Sequence, residues 1–264
     1  MNGYLYGLFL LVSFGASIAG AVCGIGGGII IKPALDIFGV LSVSAVSFLS
    51  GCTVLAMTCY SVIKWKVSGE SLVEKRTGTP LAIGAALGGV TGKSMFQAVS
   101  SLFAEGDRVG AVQAACLLVI TLGTLIYTVK KDRIHTYHVT DPLVCMGIGL
   151  VLGIFSSFLG IGGGPINLVV LFFFFSMNTK AAAQNSLYII LFSQITSLIH
   201  SLTSGTVPEF SVWLLALMVT GGILGGMGGC AIHKVIDEEV TEKLFRFLMA
   251  VIIGINIYNI YQFI

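Results

Sequence analysis

Apolar residues form long uninterrupted segments along the chain, separated by short polar ones. Eight of these segments have about the length that a helix needs to cross the ~30 Å hydrocarbon core of a bilayer. They cover residues 3–23, 43–63, 79–93, 109–129, 143–159, 184–202, 210–230 and 244–263. Two further apolar segments, 29–40 and 166–177, are too short to cross as helices, since a dozen helical residues span only ~18 Å. The pattern predicts an all-α polytopic membrane protein.

The composition supports the same class and excludes several others. Of the 264 residues, 56% are hydrophobic and 10% are charged, whereas a soluble domain has about 25% charged residues. This excludes a soluble enzyme, a nucleic-acid-binding protein and a disordered chain, and it makes the lipid bilayer the first predicted partner. The chain has no Walker, HExxH or G-x-S-x-G motif. We therefore predict no catalytic residues, no cofactor and no metal site.

A glycine string recurs with an offset of 136 residues. Residues 24–28 and 160–164 both read GIGGG, and each string precedes one of the two short apolar segments. Matches at the same offset continue through Ser50 and Ser186 to a Ser-Gly pair at 68–69 and 204–205. A shift of one more residue aligns the glycine-rich stretches GAALGGVTG and GGILGGMGG. We predict two homologous transmembrane repeats, 1–135 and 136–264, a design common in secondary transporters.

The Lys and Arg residues indicate how the two repeats are oriented. If each glycine string breaks a helix and the short segment completes a crossing, each repeat has five crossings and the repeats are inverted. Eleven of the fourteen basic residues then fall on one side and three on the other. If the short segments instead re-enter and return, the repeats are parallel and the division is seven against seven. The positive-inside rule favours the inverted arrangement, with both termini outside and loops 64–78 and 130–141 in the cytoplasm.

The two glycine strings are the first candidates for chemistry. Consecutive glycines disfavour a regular helix by about 1 kcal/mol each, and irregular backbone at membrane depth is tolerated only inside protein or beside a wet cavity. A break followed by a helix also presents unpaired N–H groups and a positive dipole end, which suit an anion. The predicted backbone donors are Gly26, Gly27, Gly28, Gly162, Gly163 and Gly164. The alternative is that the strings are small-residue contacts for close helix packing.

These motifs resemble those of the TauE/SafE sulfite exporter family, also called the toluene-sulfonate uptake permeases (TSUP). The resemblance rests on GIGGGIIIKPAL followed by SAVSFLSG, on GIGGGPINLVVL followed by KAAAQNSL, and on the two glycine-rich stretches. It covers nearly the whole chain and implies transport of sulfur-containing anions, such as sulfite, sulfonates or sulfoacetate, across a prokaryotic inner membrane. Two positions depart from the expected pattern. Lys32 stands where an apolar residue is expected, and Val169 stands where a proline would match Pro33.

Polar residues inside the apolar segments complete the predicted substrate site. Neutral donors and one cation near two helix N-termini suit a sulfonate or sulfite group. The candidates are Asn167, Asn185, Ser50, Ser186, Gln184 and Lys32. Alternatives stay open: the serines also suit helix packing, and Lys32 can instead reach the membrane surface or be neutralised by Asp36. The Lys32–Asp36 pair is also a candidate carrier of a coupling proton.

Taken together, these features predict a non-enzymatic, multi-pass secondary transporter of small anions. Breaks from the two inverted repeats would meet at a central site, and rocking of one half against the other would give alternating access. The coupling ion, a proton or sodium, is left open, as are the transport direction, the natural substrate and homo-oligomerisation. Two other functions are also open: an anion channel, and a membrane assembly subunit that transports nothing.

Overall fold

Helices account for all regular secondary structure in residues 3–102 and 106–263, the residues that a computed structural model of the protein describes. The helices are α1 (Gly3–Cys23), α2 (Gly28–Asp36), α3 (Val43–Val67), α4 (Lys75–Leu102), α5 (Gly106–Lys130), α6 (Pro142–Leu159), α7 (Gly164–Phe175), α8 (Thr179–Thr203), α9 (Val212–Val235) and α10 (Glu238–Phe263). A 3₁₀ turn, Lys131–Arg133, follows α5. Each predicted apolar segment coincides with one of these helices, so the all-α prediction is confirmed.

Seven of the described helices are long and apolar enough to cross a membrane. They are α1, α3, α5, α6, α8, α9 and α10. The predicted crossing at 79–93 lies in α4, which has 28 residues but is less apolar because it contains several glycines and Lys93. α2 and α7 have 9 and 12 residues, too few to cross the hydrocarbon core as helices. The chain is a multi-pass integral membrane protein.

Each glycine string lies in a break between two helices. Residues 24–27 separate α1 from α2, and residues 160–163 separate α6 from α7. In the second break Gly160, Gly162 and Gly163 have φ angles of 65°, 83° and 68°. This left-handed region is open to glycine and disfavoured for residues with a Cβ atom. A chain turned in this way cannot continue the preceding helix, so each string ends one helix and begins the next.

Two helices that correspond under the offset of 136, α3 and α8, share their bounds and the type of their N-caps. α3 and α8 both have 25 residues, and their bounds differ by the offset of 136. The Ser42 side chain accepts a hydrogen bond from the Ala45 N–H at 3.2 Å, and the Asn178 side chain accepts one from the Ala181 N–H at 2.8 Å. Each cap satisfies an N–H that the first turn of the helix leaves without a partner. For these two helices the sequence match thus extends to the local structure.

Glycines join helices that belong to different repeats. On α4, glycines at every fourth position face α6, so that backbone lies against backbone. A methyl on Gly84, Gly88 or Gly92 would press against the carbonyl oxygen of Met146, Leu150 or Ile154, respectively. The matching glycines of α9 face α1, where a methyl on Gly221, Gly225 or Gly229 would press against the carbonyl oxygen of Leu10, Phe14 or Ile18. Small residues of this kind let membrane helices approach closely and stabilise the pair.

α3 and α8 complete two mixed bundles. α3 packs on α9, where Gly222 lies against the Thr53 carbonyl. α8 packs on α4, where the Thr196 hydroxyl donates a hydrogen bond to the Ala86 carbonyl at 2.8 Å. We call α1, α3 and α9 the first bundle, and α4, α6 and α8 the second bundle. Each bundle combines helices of both sequence repeats, and the two bundles meet where α3 contacts α8.

The glycine face of α4 leads to a prediction about stability. Gly88→Ala should lower the free energy of unfolding by about 3 kcal/mol or more, because the methyl would overlap the Leu150 carbonyl oxygen and forces α4 away from the α6 backbone. The matched control is Gly123→Ala on α5, where nothing lies within 4 Å of the added methyl. There the higher helix propensity of alanine should raise stability by up to about 1 kcal/mol. Thermal unfolding of the purified variants in detergent measures both changes. A melting temperature of Gly88→Ala equal to that of the parent protein would contradict the close α4–α6 packing.

Candidate functional site

The two glycine strings contact each other deep inside the protein, where both are buried. A methyl on Gly28 would lie 2.5 Å from the carbonyl oxygen of Ile161, and a methyl on Gly164 would overlap the carbonyl of Ile25. The two contacts correspond under the offset of 136, so each string fits against the other in the same way. We call this contact the crossing.

Two apolar side chains fill the space beside the crossing. Val54 of α3 and Ile190 of α8 are both fully buried, and they too correspond under the offset. Both would contact a methyl placed on Gly26 or on Gly162, at 3.0–3.5 Å. The crossing is therefore closed by tight packing in this conformation.

The remaining string glycines lie against helices of both repeats. A methyl on Gly24 would overlap the Ala183 Cα of α8, and a methyl on Gly160 would lie 2.9 Å from the Ser47 Cβ of α3. A methyl on Gly27 would lie 2.8 Å from the Ala16 carbonyl oxygen of α1, and a methyl on Gly163 would lie 2.9 Å from the Ser156 Cβ of α6. The strings thus pack closely on helices as well as on each other, which is the arrangement that the packing alternative describes.

Asn167 is the predicted side chain most closely tied to the crossing. It lies in the first turn of α7 and is fully buried, and neither atom of its amide group has a hydrogen-bond partner among the described residues. Its Oδ1 would be 3.4 Å from a methyl on Gly163. Ser50 of α3 and Ser186 of α8 are also fully buried, and their hydroxyl oxygens likewise have no described partner. Unsatisfied buried polar groups are rare and cost free energy, so these three side chains stay candidates for contact with a polar ligand.

Three other predicted residues have partners away from the crossing. Gln184 accepts a hydrogen bond from the Leu72 N–H at 2.8 Å, and Asn185 donates one to the Leu72 carbonyl at 3.2 Å. Both side chains therefore hold the loop that follows α3. Lys32 forms an ion pair with Asp36 at 3.2 Å, and the two side chains are only 1% and 7% exposed. Asp36 thus neutralises Lys32, as one of the sequence alternatives expects.

A polar cavity lies beside the crossing, between the two bundles. Its volume is about 20 Å³, which is room for one water-sized molecule. It is lined by Ser47, Phe48, Gly51, Cys52, Lys93, Ser157, Gly160, Gln194, Ser197, Leu198 and Ser201. Gly160 belongs to the second glycine string, but among these described residues none is one of the twelve predicted site residues. We call this space the first cavity.

Lys93 is a functional candidate that the sequence analysis missed. Its side chain is 8% exposed, and its ammonium lies 5.2 Å from the centre of the Phe96 ring. The sequence signal was a lysine directly after the glycine face of α4, at the position where the second repeat has Cys230. In the sequence analysis Lys93 entered only the count of Lys and Arg residues, as one of the three on the outer side of the membrane.

A second, wider cavity is the counterpart of the first. Its volume is about 170 Å³, and it is lined by Trp65, Glu70, Lys180, Gln184, His233 and Lys234. Trp65 and Gln184 correspond under the offset to Ser201 and Phe48, which line the first cavity. Lys234 is paired with Glu70. We call this space the second cavity.

The two cavities lie at opposite ends of α3 and α8. The first cavity uses the start of α3 and the end of α8, whereas the second uses the end of α3 and the start of α8. The two helices are therefore antiparallel, and the buried pair of Val54 and Ile190 lies between the cavities. Phe48 and Trp65 are roughly 26 Å apart along α3 at 1.5 Å per residue, so the cavities are separated by most of the thickness of a bilayer core.

A multi-pass helical protein with polar cavities at opposite ends of one helix pair has the architecture of a membrane transporter. The family model described as "Sulfite exporter TauE/SafE" matches residues 9–257, and the chain belongs to this family. This confirms the family resemblance found in the sequence, and it makes the chain a membrane transporter and not an enzyme.

Curated relatives carry names that agree with this class. The chain is 26% identical over 264 residues to the "Probable membrane transporter protein YunE" of Bacillus subtilis, an alignment that covers 90% of this chain and 92% of that protein. It is 26% identical over 259 residues to a "Probable membrane transporter protein" of Haemophilus influenzae, covering 94% and 96% of the two chains. A shorter match of 110 residues, 27% identical, joins 40% of this chain to 17% of the "Probable membrane transporter protein MamO" of Magnetospirillum gryphiswaldense. No solved structure matches the chain. Bacterial relatives of this kind fit a location in the bacterial inner membrane.

Proposed function

We propose that the protein is a secondary transporter that moves small sulfur-containing anions, such as sulfite, sulfonates or sulfoacetate, across the inner membrane by alternating access. The family description supports sulfite as the type of substrate. The observation that carries the mechanism is the pair of corresponding cavities at opposite ends of α3 and α8, one of about 20 Å³ and the other of about 170 Å³. A narrow cavity on one side and a wide one on the other are what one state of an alternating-access cycle requires.

The repeats are inverted in this proposal. α3 and α8 correspond under the offset and run antiparallel, and equivalent helices are antiparallel when the repeats are related by an axis in the membrane plane. The distribution of Lys and Arg supports the same arrangement. Because Lys180 and Lys234 line the second cavity and belong to the basic side, this cavity faces the cytoplasm and the first cavity faces outward.

The two bundles, rather than the two sequence repeats, are the moving bodies. Backbone contacts at the glycine faces hold α1 to α9 and α4 to α6, and each of these pairs joins both repeats. The two cavities lie where one bundle meets the other. Relative tilting of the bundles about the crossing would therefore widen one cavity as it narrows the other.

The anion site of the proposal lies at the crossing. α2 begins at Gly28 and α7 begins at Gly164, so two positive helix ends start within the contacting strings. Asn167, Ser50 and Ser186 supply side-chain donors that have no other described partner. Gln184 and Asn185 support the loop after α3, and Lys32 is neutralised within α2.

Asn167→Leu tests the site, because the two side chains have similar size and only the amide is lost. Uptake of sulfite into proteoliposomes should fall at least tenfold, while the melting temperature stays equal or rises, since an unsatisfied buried amide costs about 1–3 kcal/mol. The control is Asn259→Leu, whose amide donates a hydrogen bond to the Pro33 carbonyl at 3.0 Å and joins α10 to α2. This variant should lower the melting temperature instead. Unchanged sulfite uptake by Asn167→Leu would remove Asn167 from the site.

The substrate class is tested by thermal shift with the purified protein. Sulfite, thiosulfate, sulfate, taurine and sulfoacetate should be compared with carboxylate and cation controls. Stabilisation by carboxylates or cations alone would contradict the proposed substrates. Currents in planar bilayers far above transporter turnover would favour the channel alternative.

A further inference from the structure

We infer that the first cavity is an anion-binding chamber in which Lys93 supplies the positive charge, and that its ligand is a small sulfonate or sulfur oxyanion. The choice of a sulfur-containing ligand rests on the proposed function, whereas the chamber itself rests on the geometry of the cavity. The first cavity lies next to the predicted site at the crossing. Because Asp36 neutralises Lys32, the crossing has no free cation of its own among its predicted residues, and Lys93 of the first cavity supplies one.

Lys93 and Lys32 are both buried lysines, but their surroundings differ. Lys32 is paired with Asp36. Lys93 lies over the Phe96 ring, and within the described part of the chain it forms no ion pair with a carboxylate. A cation–π contact compensates only part of the cost of a buried charge. The charge of Lys93 is therefore available to an anion that enters the cavity.

Hydrogen-bond donors line the same cavity as this charge. Ser47 is one of the lining residues and is 5% exposed, and its hydroxyl has no hydrogen-bond partner among the described residues. The Gln194 amide makes a long hydrogen bond of 3.5 Å to the Ser156 hydroxyl, so it is weakly held. One cation with several neutral donors is the arrangement that binds an oxyanion through charge-assisted hydrogen bonds.

The chamber is placed to exchange an anion with the crossing. The Gln194 amide donates a hydrogen bond to the Ser156 hydroxyl. Ser156 and Asn167 both lie next to Gly163, within 3.4 Å of a methyl placed there. The present volume of about 20 Å³ is too small for a sulfur oxyanion. Since α3 lines one wall and α4, α6 and α8 line the others, the chamber widens when the two bundles separate.

The lysine at this position is present in one repeat only. The second repeat has Cys230 at the position of Lys93, and the lysines that line the second cavity are Lys180 and Lys234, of which Lys234 is paired with Glu70. The two cavities thus share their place in the fold but take their positive charge from different helix positions.

Cys52 reports on the chamber, because it lines the same cavity. In a full-length chain whose other five cysteines are replaced by alanine, Cys52 is reacted with a sulfonate-bearing methanethiosulfonate and with the trimethylammonium form of the reagent. The rate constant of each reagent with Cys52 is divided by the rate constant of the same reagent with a small thiol in solution, which removes the difference in intrinsic reactivity. The anionic reagent should react at least tenfold faster than the cationic one. Lys93→Gln should abolish this preference and Lys93→Arg should retain it, while Lys66→Gln, which removes an exposed lysine outside the cavity, should not change it.

Sulfite should slow the labelling of Cys52 when Lys93 is present and not in Lys93→Gln. The inference is overturned if Lys93→Gln keeps the charge preference, or if neither reagent labels Cys52, since a binding chamber must open to anions. A third outcome is possible: the faster labelling by the anionic reagent depends on Lys93, but sulfite does not slow the labelling of Cys52. This outcome supports the chamber and counts against sulfite as the transported anion. The two ideas can therefore fail separately.

Discussion

Gly164→Ala is expected to prevent assembly of the folded protein. The added methyl would overlap the backbone of Ile25 in the other glycine string, and a backbone carbonyl, unlike the end of a side chain, cannot turn away. Overpacking of side chains costs about 1–3 kcal/mol, so a backbone overlap at a fully buried contact should exceed the upper end of that range. The helices would still insert, because their apolar length is unchanged, but the two strings could not meet.

The measurement is the yield of monodisperse protein after detergent extraction, followed by size-exclusion chromatography. Gly164→Ala should lose at least nine-tenths of the monodisperse peak. Gly28→Ala should lose less, since its methyl would lie 2.5 Å from the Ile161 carbonyl oxygen. Gly147→Ala on α6, with nothing within 4 Å of the methyl, is the matched control and should behave like the parent protein. Normal yield and melting temperature for Gly164→Ala would mean that the strings do not touch in the membrane.

A cross-link between the two bundles should stop transport, whereas a cross-link within one bundle should not. Gly51 of α3 faces Gln194 of α8 across the first cavity, and a methyl on Gly51 would lie 3.0 Å from the Gln194 Oε1. With both residues changed to cysteine in a chain free of other cysteines, a short reducible bis-thiol reagent ties the bundles together. Sulfite flux should fall at least tenfold and recover on reduction, because the cavity between the bundles can no longer widen.

The matched pair lies inside the first bundle. A methyl on Gly228 of α9 would lie 3.6 Å from the Ile18 Cγ1 of α1, so cysteines at 18 and 228 can be joined with the same reagent. Flux should stay within about twofold of the unlinked protein. This link also ties the first sequence repeat to the second. Loss of flux on joining 18 to 228 would therefore favour rocking of the sequence repeats over tilting of the mixed bundles.

Much of the fold follows from the sequence because lipid imposes a simple rule on apolar segments. A segment of about 20 apolar residues satisfies its backbone hydrogen bonds internally as a helix, whatever its neighbours are. The glycine strings and the offset of 136 also marked the positions of the breaks before α2 and α7. The partners of each helix could not be predicted in this way. Lipid tails are as apolar as the helix faces, so hydrophobicity carries no signal about which helices pair. The glycines of α4 showed that a close contact exists, but not that α6 makes it.

The candidate site was harder to predict than the fold. Asn167 is buried beside the crossing without a described partner, so it stays a predicted residue of the substrate site. Gln184 and Asn185 have the same polar chemistry, yet they bond to the loop at Leu72. Their sequence neighbourhood could not reveal this partner, which lies more than a hundred residues away. Lys93 was overlooked for the converse reason. Its burial depends on α3 and α8, and a lysine at the end of an apolar segment, as Lys93 is in segment 79–93, is usually solvated.

The mixed bundles also dictate when the protein can fold during its synthesis. α1 ends at Cys23, and its partner α9 begins at Val212. At 5–20 residues per second, the ribosome needs roughly 10–40 s to make the chain between them. During that interval α1 lies in the lipid without its partner, the glycine face of α9. In the same way, α4 is inserted before its partners α6 and α8 have been synthesised. Neither bundle can close on a nascent chain that ends within the first repeat, so the tertiary folding of both bundles must wait for helices of the second repeat.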